Sequence, residues 1–518
     1  MGLEDTYLKI VSRLPGIQAP IKRLTFNARI KWTALILLIY FIMSQITVWG
    51  VDVSRIQAFG LFELLLGAKF GSIMSLGIGP IVTASIILQL MVGSKLVPWD
   101  LGTEKGKIMF QGTQKILGVV LALVEAFIFV TMGAVPAAAP NLVILVALQL
   151  AMGGILVIFM DEVVSKWGFG SGIGLFIVAG VSSGIITNAF NPFATNCFDG
   201  ARLCWATVDN PPVGLLPQFF YFITSGQLLQ SFFALLPIIA TMVVFLLVVY
   251  SNAIKVEVPL AFGSIRGFGR RWPLKFFYTS NIPVILAAAL LANVHLFARM
   301  MSDRGITWLG EFDANGNAVG GLIYFFSAPR SEALMGFMIF IGIFTLIGAI
   351  ITYKLKKNGI KIPAIFAVLG GFVWFVLALA TGLESLAYIP PLDIVRMFTY
   401  AGFMIGGSII FAIFWVATAG MSSKSVAEQI QSTGMQIPGY RRDVRIIERV
   451  LDRYIPYLAV LGGAAVGFLA AYADFTGALG TGTGILLTTM IIFQLYEQIA
   501  QHQMEDAHPA IRKLLGKG

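Results

Sequence analysis

The chain has 518 residues, of which 57% are hydrophobic and only 12% are charged, and its mean hydropathy is +0.85. Soluble globular proteins carry charge on roughly 25% of their residues, so this composition excludes a soluble all-helical protein. It indicates an all-α polytopic membrane protein with a formal net charge of +10.

Apolar runs long enough to cross a bilayer recur along the whole sequence. A transmembrane helix needs about 20 mostly apolar residues, and the sequence predicts twelve such spans. They lie near residues 32–50, 74–92, 113–133, 141–160, 172–190, 231–251, 282–300, 334–353, 362–382, 398–419, 457–473 and 478–498.

The basic residues predict the orientation of these spans. Most of the 36 Lys and Arg residues fall in the N-terminus, the C-terminus and every second connection. Because basic residues are enriched in cytoplasmic loops, both termini are predicted to be cytoplasmic. Residues 1–31 are charged, amphipathic and interrupted by prolines, which favours an interfacial helix over a cleavable signal peptide. Residues 499–518 form a predicted cytoplasmic tail.

Residues 32–190 form the predicted first transmembrane half, in which an interrupted stretch precedes the second apolar run. This stretch, GLFELLLGAKFGSIMSLGIGP over residues 60–80, is mostly apolar but contains Glu63, Lys69 and several glycines. Glycine permits left-handed backbone and Pro80 removes a helical hydrogen bond. The pattern predicts a half-length, interrupted helix just before the second long apolar run.

Glu125, in LALVEAFIFV, is the acidic residue that lies clearly within a predicted span. Ionisable residues at membrane depth often mark ion-coupled transport. No ionisable partner is evident for Glu125, so we interpret it as a structural residue that bonds a neighbouring helix. A proton-relay role is the alternative.

Both cysteines of the chain, Cys197 and Cys204, fall in the predicted external connection, residues 191–230. Disulfides form on the oxidising side of a membrane. The pair could therefore form a disulfide, and two unrelated thiols are the alternative.

Two glycine-rich sequences open helices from opposite faces of the membrane. GFGSGIGLFI, residues 168–177, begins the fifth span, and GALGTGTGILL, residues 477–487, begins the last span of the predicted second half, residues 231–498. Such a pair is typical of an inverted internal repeat. Ordinary packing of small residues between helices is the alternative.

Motifs for covalent chemistry are missing from the sequence. It contains no phosphate-binding loop and no nucleophile elbow, and its three histidines, His295, His502 and His508, form no ligand cluster. We therefore expect no enzyme activity, no metal site and no cofactor.

Five long motifs resemble the SecY family, and most closely its archaeal branch. They are SLGIGPIVTASIILQLMVG (75–93), MDEVVSKWGFGSGIGLFIVAGV (160–181), YTSNIPVILAAALLAN (278–293), FWVATAGMSSKSVAEQI (414–430) and HPAIRKLLGKG (508–518). The resemblance covers residues 1–333 and 385–518. It implies a protein-conducting channel built as two pseudo-symmetric halves of an inverted-repeat helical bundle, with ten family helices. Nascent chains would cross through the centre or leave sideways into lipid.

The resemblance implies a plug and a pore ring. Residues 59–70 match the plug, a short segment that seats in the pore; its apolar members are Phe59, Leu61, Phe62, Leu64, Leu65, Leu66 and Phe70. A re-entrant interfacial helix is the alternative. Six branched aliphatic residues match the ring, a deformable hydrophobic gasket: Ile78, Val82, Ile173, Ile177, Ile285 and Leu487. From spacing alone these six would be ordinary core residues.

The resemblance also implies a lateral gate and a ribosome-binding surface. Thr83 and Asn293 match polar positions on the two facing gate helices, where ordinary helix–helix bonding is the alternative. Two basic loops match the ribosome-binding loops, and clustered Arg suits rRNA phosphates. Their residues are Arg266, Arg270, Arg271, Arg441 and Arg442. Without the resemblance they would be topology determinants.

One segment departs from the family pattern. Two further apolar spans, over about 334–382, replace a short connection, and KLKKNGIKIP joins them. An even insertion keeps every following helix in its orientation. We predict that this hairpin packs outside the second half.

The sequence thus predicts the central subunit of a protein translocation channel in the cell membrane. Its expected partners are a SecE-like gamma subunit, a small beta subunit, the ribosome, nascent polypeptides with their signal sequences, and membrane lipid. The alternatives are an ion-coupled secondary transporter with broken helices and a membrane-embedded assembly scaffold.

Overall fold

The computed structural model describes most of the chain. The described residues are 7, 11, 15–22, 24–52, 67–99, 101, 103–194, 204–205, 210–262, 269–279, 281–313, 317–329, 331–355, 361–380, 388–432, 435–436 and 443–507. They form a helical bundle whose apolar side chains pack into one large core that extends through both halves.

The first half is built from five helices, of which the second is the shortest. They are α1 (Phe26–Gln45), α2 (Gly79–Gly93), α3 (Glu104–Thr131), α4 (Val143–Trp167) and α5 (Gly172–Phe190), with a single turn of 3₁₀ helix at Pro140–Leu142. Helix α1 begins at Phe26, six residues before the predicted span at residue 32, and Arg29 and Lys31 lie in its first turns. The helix therefore extends into the segment predicted as interfacial.

Residues 71–73, shortly before α2, hydrogen-bond to residues that directly follow α1. The Val48 amide donates to the Gly71 carbonyl at 2.9 Å, and the Ile73 amide donates to the Ile46 carbonyl at 3.1 Å. Gly71 and Gly77 have positive φ angles of 82° and 51°, which glycine adopts without a steric penalty. Residues 67–78 consequently form successive turns.

These turns shorten the second predicted span. Eleven helices in the described part of the chain are long and apolar enough to cross a membrane, whereas α2 has only 15 residues. The prediction of twelve spans is therefore not confirmed in number. The residues near 74–92 are helical only from Gly79 onward. Pro80 occupies the first turn of α2, where a missing amide proton costs no helical bond.

The second half follows a short connecting helix, α6 (Leu215–Thr224). Its long helices are α7 (Leu228–Asn252), α8 (Ile282–Ser302), α10 (Glu332–Lys354), α11 (Lys361–Ala380), α12 (Pro391–Thr418), α15 (Ile455–Phe475) and α16 (Gly482–Ala507), and its short ones are α9 (Leu322–Phe325), α13 (Ser423–Ser432) and α14 (Val444–Leu451).

Three small antiparallel sheets lie in the connections. Strands β1 (Phe193–Ala194) and β2 (Cys204–Trp205) pair, as do β5 (Glu311–Phe312) and β6 (Ala318–Gly320). The third sheet has the order β4-β3-β7, from β3 (Lys255–Phe262), β4 (Gly269–Lys275) and β7 (Met435–Gln436). We term the membrane face that carries this third sheet and the start of α1 the basic face.

The extra hairpin, α10–α11, packs through α10 against α7 and α15. The Tyr472 hydroxyl of α15 donates to the Met338 carbonyl of α10 at 2.7 Å. Gly342 of α10 leaves room for Tyr472, since a Cβ there would lie 2.1 Å from the Tyr472 hydroxyl oxygen. The two hairpin helices are joined by Trp374, which fits against Gly336. The pore-ring candidates lie on other helices.

Two seams join the halves. On one side α2 packs against α8 and α12; on the other, α1 and α5 pack against α16. At the basic face of the second seam, Arg29 of α1 donates to the His502 ring of α16 at 3.1 Å, and Phe169 contacts that ring edge-on. The core of the bundle lies between the two seams.

Candidate pore and lateral gate

Five of the six ring candidates lie on four helices that meet in the core, and the sixth, Ile78, directly precedes α2. Ile78, Val82, Ile177 and Leu487 are buried within the large apolar core, and the half-buried Ile173 and Ile285 pack against it. The four helices are α2, α5, α8 and α16, two from each half. The structure thus brings these residues into one apolar region where the halves meet.

The helices carrying these residues begin in matching ways. Helices α2 and α8 each have proline at the second position, Pro80 and Pro283, and place Val82 and Ile285 at the fourth. Helices α5 and α16 each begin with glycine and place Ile177 and Leu487 at the sixth position. This correspondence between halves is the pattern of an internal repeat.

The end of the predicted plug is attached to the first half. Phe70 is buried and stacks on Phe129 of α3, with 5.8 Å between ring centroids. The Tyr40 hydroxyl of α1 donates to the Gly67 carbonyl at 2.7 Å. The other apolar residues assigned to the plug, Phe59, Leu61, Phe62, Leu64, Leu65 and Leu66, lie outside the described residues.

The two gate candidates contact one another across the first seam. The side-chain amide of Asn293 in α8 donates to the Thr83 hydroxyl oxygen in α2 at 3.2 Å. The Thr83 hydroxyl donates to the Gly79 carbonyl of its own helix at 2.9 Å. A hydrogen bond between side chains therefore links the two halves across this seam.

Glu125 of α3 belongs to the same polar group, because its side chain hydrogen-bonds with Thr83. The sequence predicted a bond from Glu125 to a neighbouring helix, and the structure shows that the neighbour is α2. Sequence reasoning missed the partner, since helix rotation is not encoded in the spacing of two residues on different spans.

Two further contacts close the same seam at other depths. The Arg304 guanidinium, just after α8, donates to the Thr131 carbonyl at the end of α3 at 2.7 Å. At the other end, a Cβ on Gly93 of α2 would lie 2.5 Å from the Phe414 ring of α12. Neither contact was predicted from the sequence.

The basic loops form one sheet rather than two separate arms. Strand β3 pairs with β4 along its length and with β7 at Ala261 and Phe262. Arg270 and Arg271 lie in β4, whereas Arg266, Arg441 and Arg442 fall outside the described residues.

The sheet is fixed to the bundle beneath it. Lys275 forms an ion pair with Glu497 of α16. The Tyr278 hydroxyl donates to the Met421 carbonyl at 2.8 Å, and burial raises the pKa of Tyr278 to about 12. The Lys275–Glu497 ion pair therefore bonds helix α16, which carries Leu487, to the sheet.

The remaining questions from the sequence concern metal ligands and the two cysteines. Among the described residues, no group of three or more His, Cys, Asp and Glu side chains could hold a metal ion. Cys197 lies outside the described residues, and only the backbone of Cys204 is described, in β2. The predicted disulfide remains a prediction.

Comparison with known proteins identifies the architecture. The SecY family model matches residues 72–496. The chain is 41% identical to the protein translocase subunit SecY of Methanothermobacter thermautotrophicus and 38% identical to that of Methanocaldococcus jannaschii; the two alignments cover 99% and 98% of this chain and 99% of each relative.

Solved structures agree with the sequence relatives. A protein-conducting channel superposes with a TM-score of 0.75 at 37% identity, and Sec61 in a canine ribosome–channel complex from the endoplasmic reticulum superposes with a TM-score of 0.72 at 37% identity. Both comparisons cover 97% of this chain and 99% of the other.

A two-halved helical bundle, with an apolar core where the halves meet and a polar contact across one seam, defines a membrane-embedded, protein-conducting channel. The chain belongs to the SecY family.

Proposed function

We propose that the chain is the pore-forming subunit through which nascent polypeptides cross the membrane, and that its first seam opens to release transmembrane segments into lipid. The observation that supports this most directly is the position of Thr83 and Asn293. They bond to each other across the boundary between halves, and the apolar cluster with the six ring residues lies beside them. Separating α2 from α8 would open both the cluster and a path to lipid.

The six aliphatic residues act as a gasket in the resting channel. Ile78, Val82, Ile177 and Leu487 present no polar group to an ion or water, and a hydrophobic constriction excludes both by dewetting. A translocating chain has varied side chains, so the gasket must deform around it rather than bind it. Aliphatic side chains at the starts of four separate helices meet this requirement, because the helices can move apart around the chain.

The segment at residues 59–70 is proposed to be the plug. Its last residues are held by contacts of Gly67 and Phe70 with α1 and α3. A plug so attached can leave the pore without losing its connection to the first half.

The basic sheet is proposed to dock the ribosome. Arg270 and Arg271 lie in β4, and β7, which precedes Arg441 and Arg442 in the sequence, pairs with β3 of the same sheet. Arginine forms bidentate bonds with phosphate and reads little nucleotide sequence. The relative in the canine complex is a ribosome-bound channel, which favours the same role here.

We propose that the basic face lies in the cytoplasm and that the protein resides in the cell membrane. Most Lys and Arg residues of the chain lie in connections predicted on that face. A SecE-like gamma subunit and a small beta subunit are the proposed partners within the membrane, with signal sequences and lipid at the gate.

Reconstitution tests the function as a whole. Purified protein with its small subunits, in liposomes, should translocate a secretory precursor only when the precursor carries a signal sequence. Uptake of a small solute driven by an ion gradient, without precursor translocation, would contradict the proposal and favour the secondary-transporter alternative.

The gate contact predicts a change in signal-sequence selectivity. Replacing Asn293 by Leu removes the hydrogen bond to Thr83, and such bonds between membrane helices contribute about 0.6 kcal/mol on average. The closed state should lose that stabilisation, so a weakly hydrophobic signal sequence should be accepted about threefold more efficiently. Thr83→Val should act in the same direction.

The matched control for the gate is Thr345→Val in α10, which makes the same chemical change at a threonine that bonds only its own helix, at the Ile341 carbonyl. The measurement is translocation of a series of precursors with graded signal hydrophobicity. Equal selectivity of wild type, Asn293→Leu and Thr345→Val would show that the Thr83–Asn293 bond is ordinary helix packing.

The hairpin α10–α11 is proposed to be peripheral to the pore. Deleting residues 332–383 and joining Ser331 to Glu384 by a short polar linker should preserve translocation. The deletion leaves the Tyr472 hydroxyl without the Met338 carbonyl, and an unpaired buried hydroxyl costs about 1–3 kcal/mol. The deletion should therefore be combined with Tyr472→Phe, and Tyr472→Phe in the full chain is the control. A stable, ribosome-binding deletion that cannot translocate would place the hairpin in the gating machinery.

A further inference from the structure

The two helices that begin with glycine-rich sequences start with the same backbone conformation. Residues 170–174 read GSGIG before and into α5, and residues 480–484 read GTGTG before and into α16. Gly170 and Gly480, at matching positions, have positive φ angles of 75° and 82°. Glycine adopts this left-handed conformation readily, so the two segments enter α5 and α16 with the same turn.

A hydroxyl group caps each of these helix starts. The Ser171 side chain accepts from the Gly174 amide at 3.1 Å, and the Thr481 side chain accepts from the Gly484 amide at 2.9 Å. The first amides of a helix have no partner within the helix, and a hydroxyl at this position satisfies one of them.

A carboxylate from the preceding helix satisfies another amide. Asp161 of α4 accepts from the Ile173 amide at 2.9 Å, and Asp474 of α15 accepts from the Thr483 amide at 2.8 Å. Ile173 and Thr483 are each the second residue of their helix. Asp474 also accepts from the Tyr400 hydroxyl of α12 at 2.6 Å.

A third contact comes from the first helix of each half. Thr33 of α1 accepts from the Phe169 amide at 3.0 Å, and Thr241 of α7 accepts from the Leu479 amide at 3.0 Å. Phe169 and Leu479 stand at the same distance before their helices. We term Thr33, Asp161 and Ser171 the first anchor, and Thr241, Asp474 and Thr481 the second anchor.

The anchors lie at opposite faces of the membrane. Helix α5 begins beside Phe169, which contacts His502 near the end of α16. The two helices are therefore antiparallel, and α16 begins at the face opposite to the basic face. The same three kinds of contact, made by corresponding helices, thus hold α5 at one face and α16 at the other.

Close backbone packing leaves these helix starts little room to move. A Cβ on Gly172 would lie 2.5 Å from the Asp161 Cα atom, and a Cβ on Gly482 would lie 1.9 Å from the Ala473 carbonyl carbon. The two helices also pack on each other, with Ile491 of α16 near Gly174 and Val181 of α5 near Gly484. A displacement of one helix start would consequently be transmitted to the other helix.

We propose that Asp161 and Asp474 are paired positioning residues of the pore, which set the axial position of α5 and α16 and thereby bring Ile177 and Leu487 to the same level. Each carboxylate holds the first turn of its helix, and the ring residue lies one turn further on in each case. The inference rests on the ring assignment made under the proposed function. Ordinary helix capping alone would stabilise α5 and α16 but would not make the seal of the resting channel depend on these two side chains.

Ion leak from resting vesicles tests the proposal. Asp161→Ala and Asp474→Ala should each raise the leak about fivefold, the change expected from loss of one cap. Asp161→Asn and Asp474→Asn should leak little more than wild type, because the amide oxygen still accepts from the Ile173 or Thr483 amide. Asp393→Ala is the matched control. Asp393 is also buried, and is ion-paired to Arg396 at 3.2 Å, but it lies on α12 and caps no ring-bearing helix.

The Ile177→Asn, Ile285→Asn double variant separates the two proposals. If it leaks while the Ala variants at Asp161 and Asp474 leak no more than Asp393→Ala, the positioning role is overturned and the ring stands. If it does not leak, the ring assignment is wrong and the positioning role falls with it. Asn variants that leak as strongly as the Ala variants would also overturn positioning by hydrogen bonds.

Milder variants decide the outcome if the Ala variants do not insert. Ser171→Ala and Thr481→Val remove the hydroxyl caps of the same turns and leave the carboxylates in place. Each should raise the leak in the same direction by a smaller factor. Stably inserted Ser171→Ala and Thr481→Val proteins with the wild-type leak would overturn the proposal.

Discussion

Replacing Ile177 and Ile285 together by Asn is expected to make resting vesicles permeable to small ions. The two residues lie on α5 and α8, one in each half, within or against the apolar core. Burying an aliphatic side chain of this size is worth about 2 kcal/mol, and Asn removes that preference at each position. Hydration of the constriction should then become about thirtyfold more favourable per substitution.

Two control variants distinguish a leak specific to the ring from general disturbance of the bundle. Ile177→Leu keeps the volume and the apolar surface, so its leak should stay at the wild-type level. Leu175→Asn introduces the same amide on α5 at a buried position that is not a ring candidate. The readout is the conductance of vesicles with matched amounts of inserted protein. A leak from Leu175→Asn equal to that of the double variant would mean that any buried amide disturbs the bundle, and the ring assignment would lose its support.

Reversing Arg270 and Arg271 of β4, or Arg441 and Arg442 of the second basic loop, to Glu is expected to weaken ribosome binding. Each pair should lower the affinity on the order of tenfold at low salt, because arginines that neutralise phosphates release bound counterions. The slope of log affinity against log salt should become shallower by about 2, roughly one unit for each arginine lost. The measurement is ribosome co-sedimentation with proteoliposomes across a salt titration.

Lys354→Glu with Lys361→Glu is the matched control for this reversal. These lysines flank the connection between α10 and α11, and both are exposed. They change the net charge by the same amount and should leave the salt slope unaltered. A slope that is unchanged after reversal of each arginine pair would show that these arginines determine topology only.

The sequence predicted the spans well where hydrophobicity alone decides. Eleven predicted spans correspond to long apolar helices among the described residues. The remaining one, near 74–92, is shortened because Gly71 and Gly77 take left-handed conformations and Pro80 begins the helix. Hydropathy records that these residues are apolar, but not that their backbone turns.

Side-chain partners in the site were less accessible to sequence reasoning. The pairing of Thr83 with Asn293 was expected only from family resemblance, and the bond is present. The contact between Glu125 and Thr83 depends on the rotation of α3 against α2, which no spacing fixes. Asp161 and Asp474 escaped notice because they stand at different distances from the helices they cap, so a comparison of the two glycine-rich sequences does not align them.

Strand β4 is an edge strand of the small sheet at the basic face. The unpaired backbone groups of an edge strand can pair with an extended polypeptide. Strand β4 pairs with β3 on one side, and in the described part of the chain no strand covers its other side. Its sequence, GRRWPLK, contains Pro273, which donates no backbone hydrogen bond, and three basic residues, Arg270, Arg271 and Lys275. Proline and charge are the means by which natural sheets prevent another chain from adding a strand. In a channel that passes unfolded polypeptide, such an edge disfavours the addition of an extended chain to the sheet.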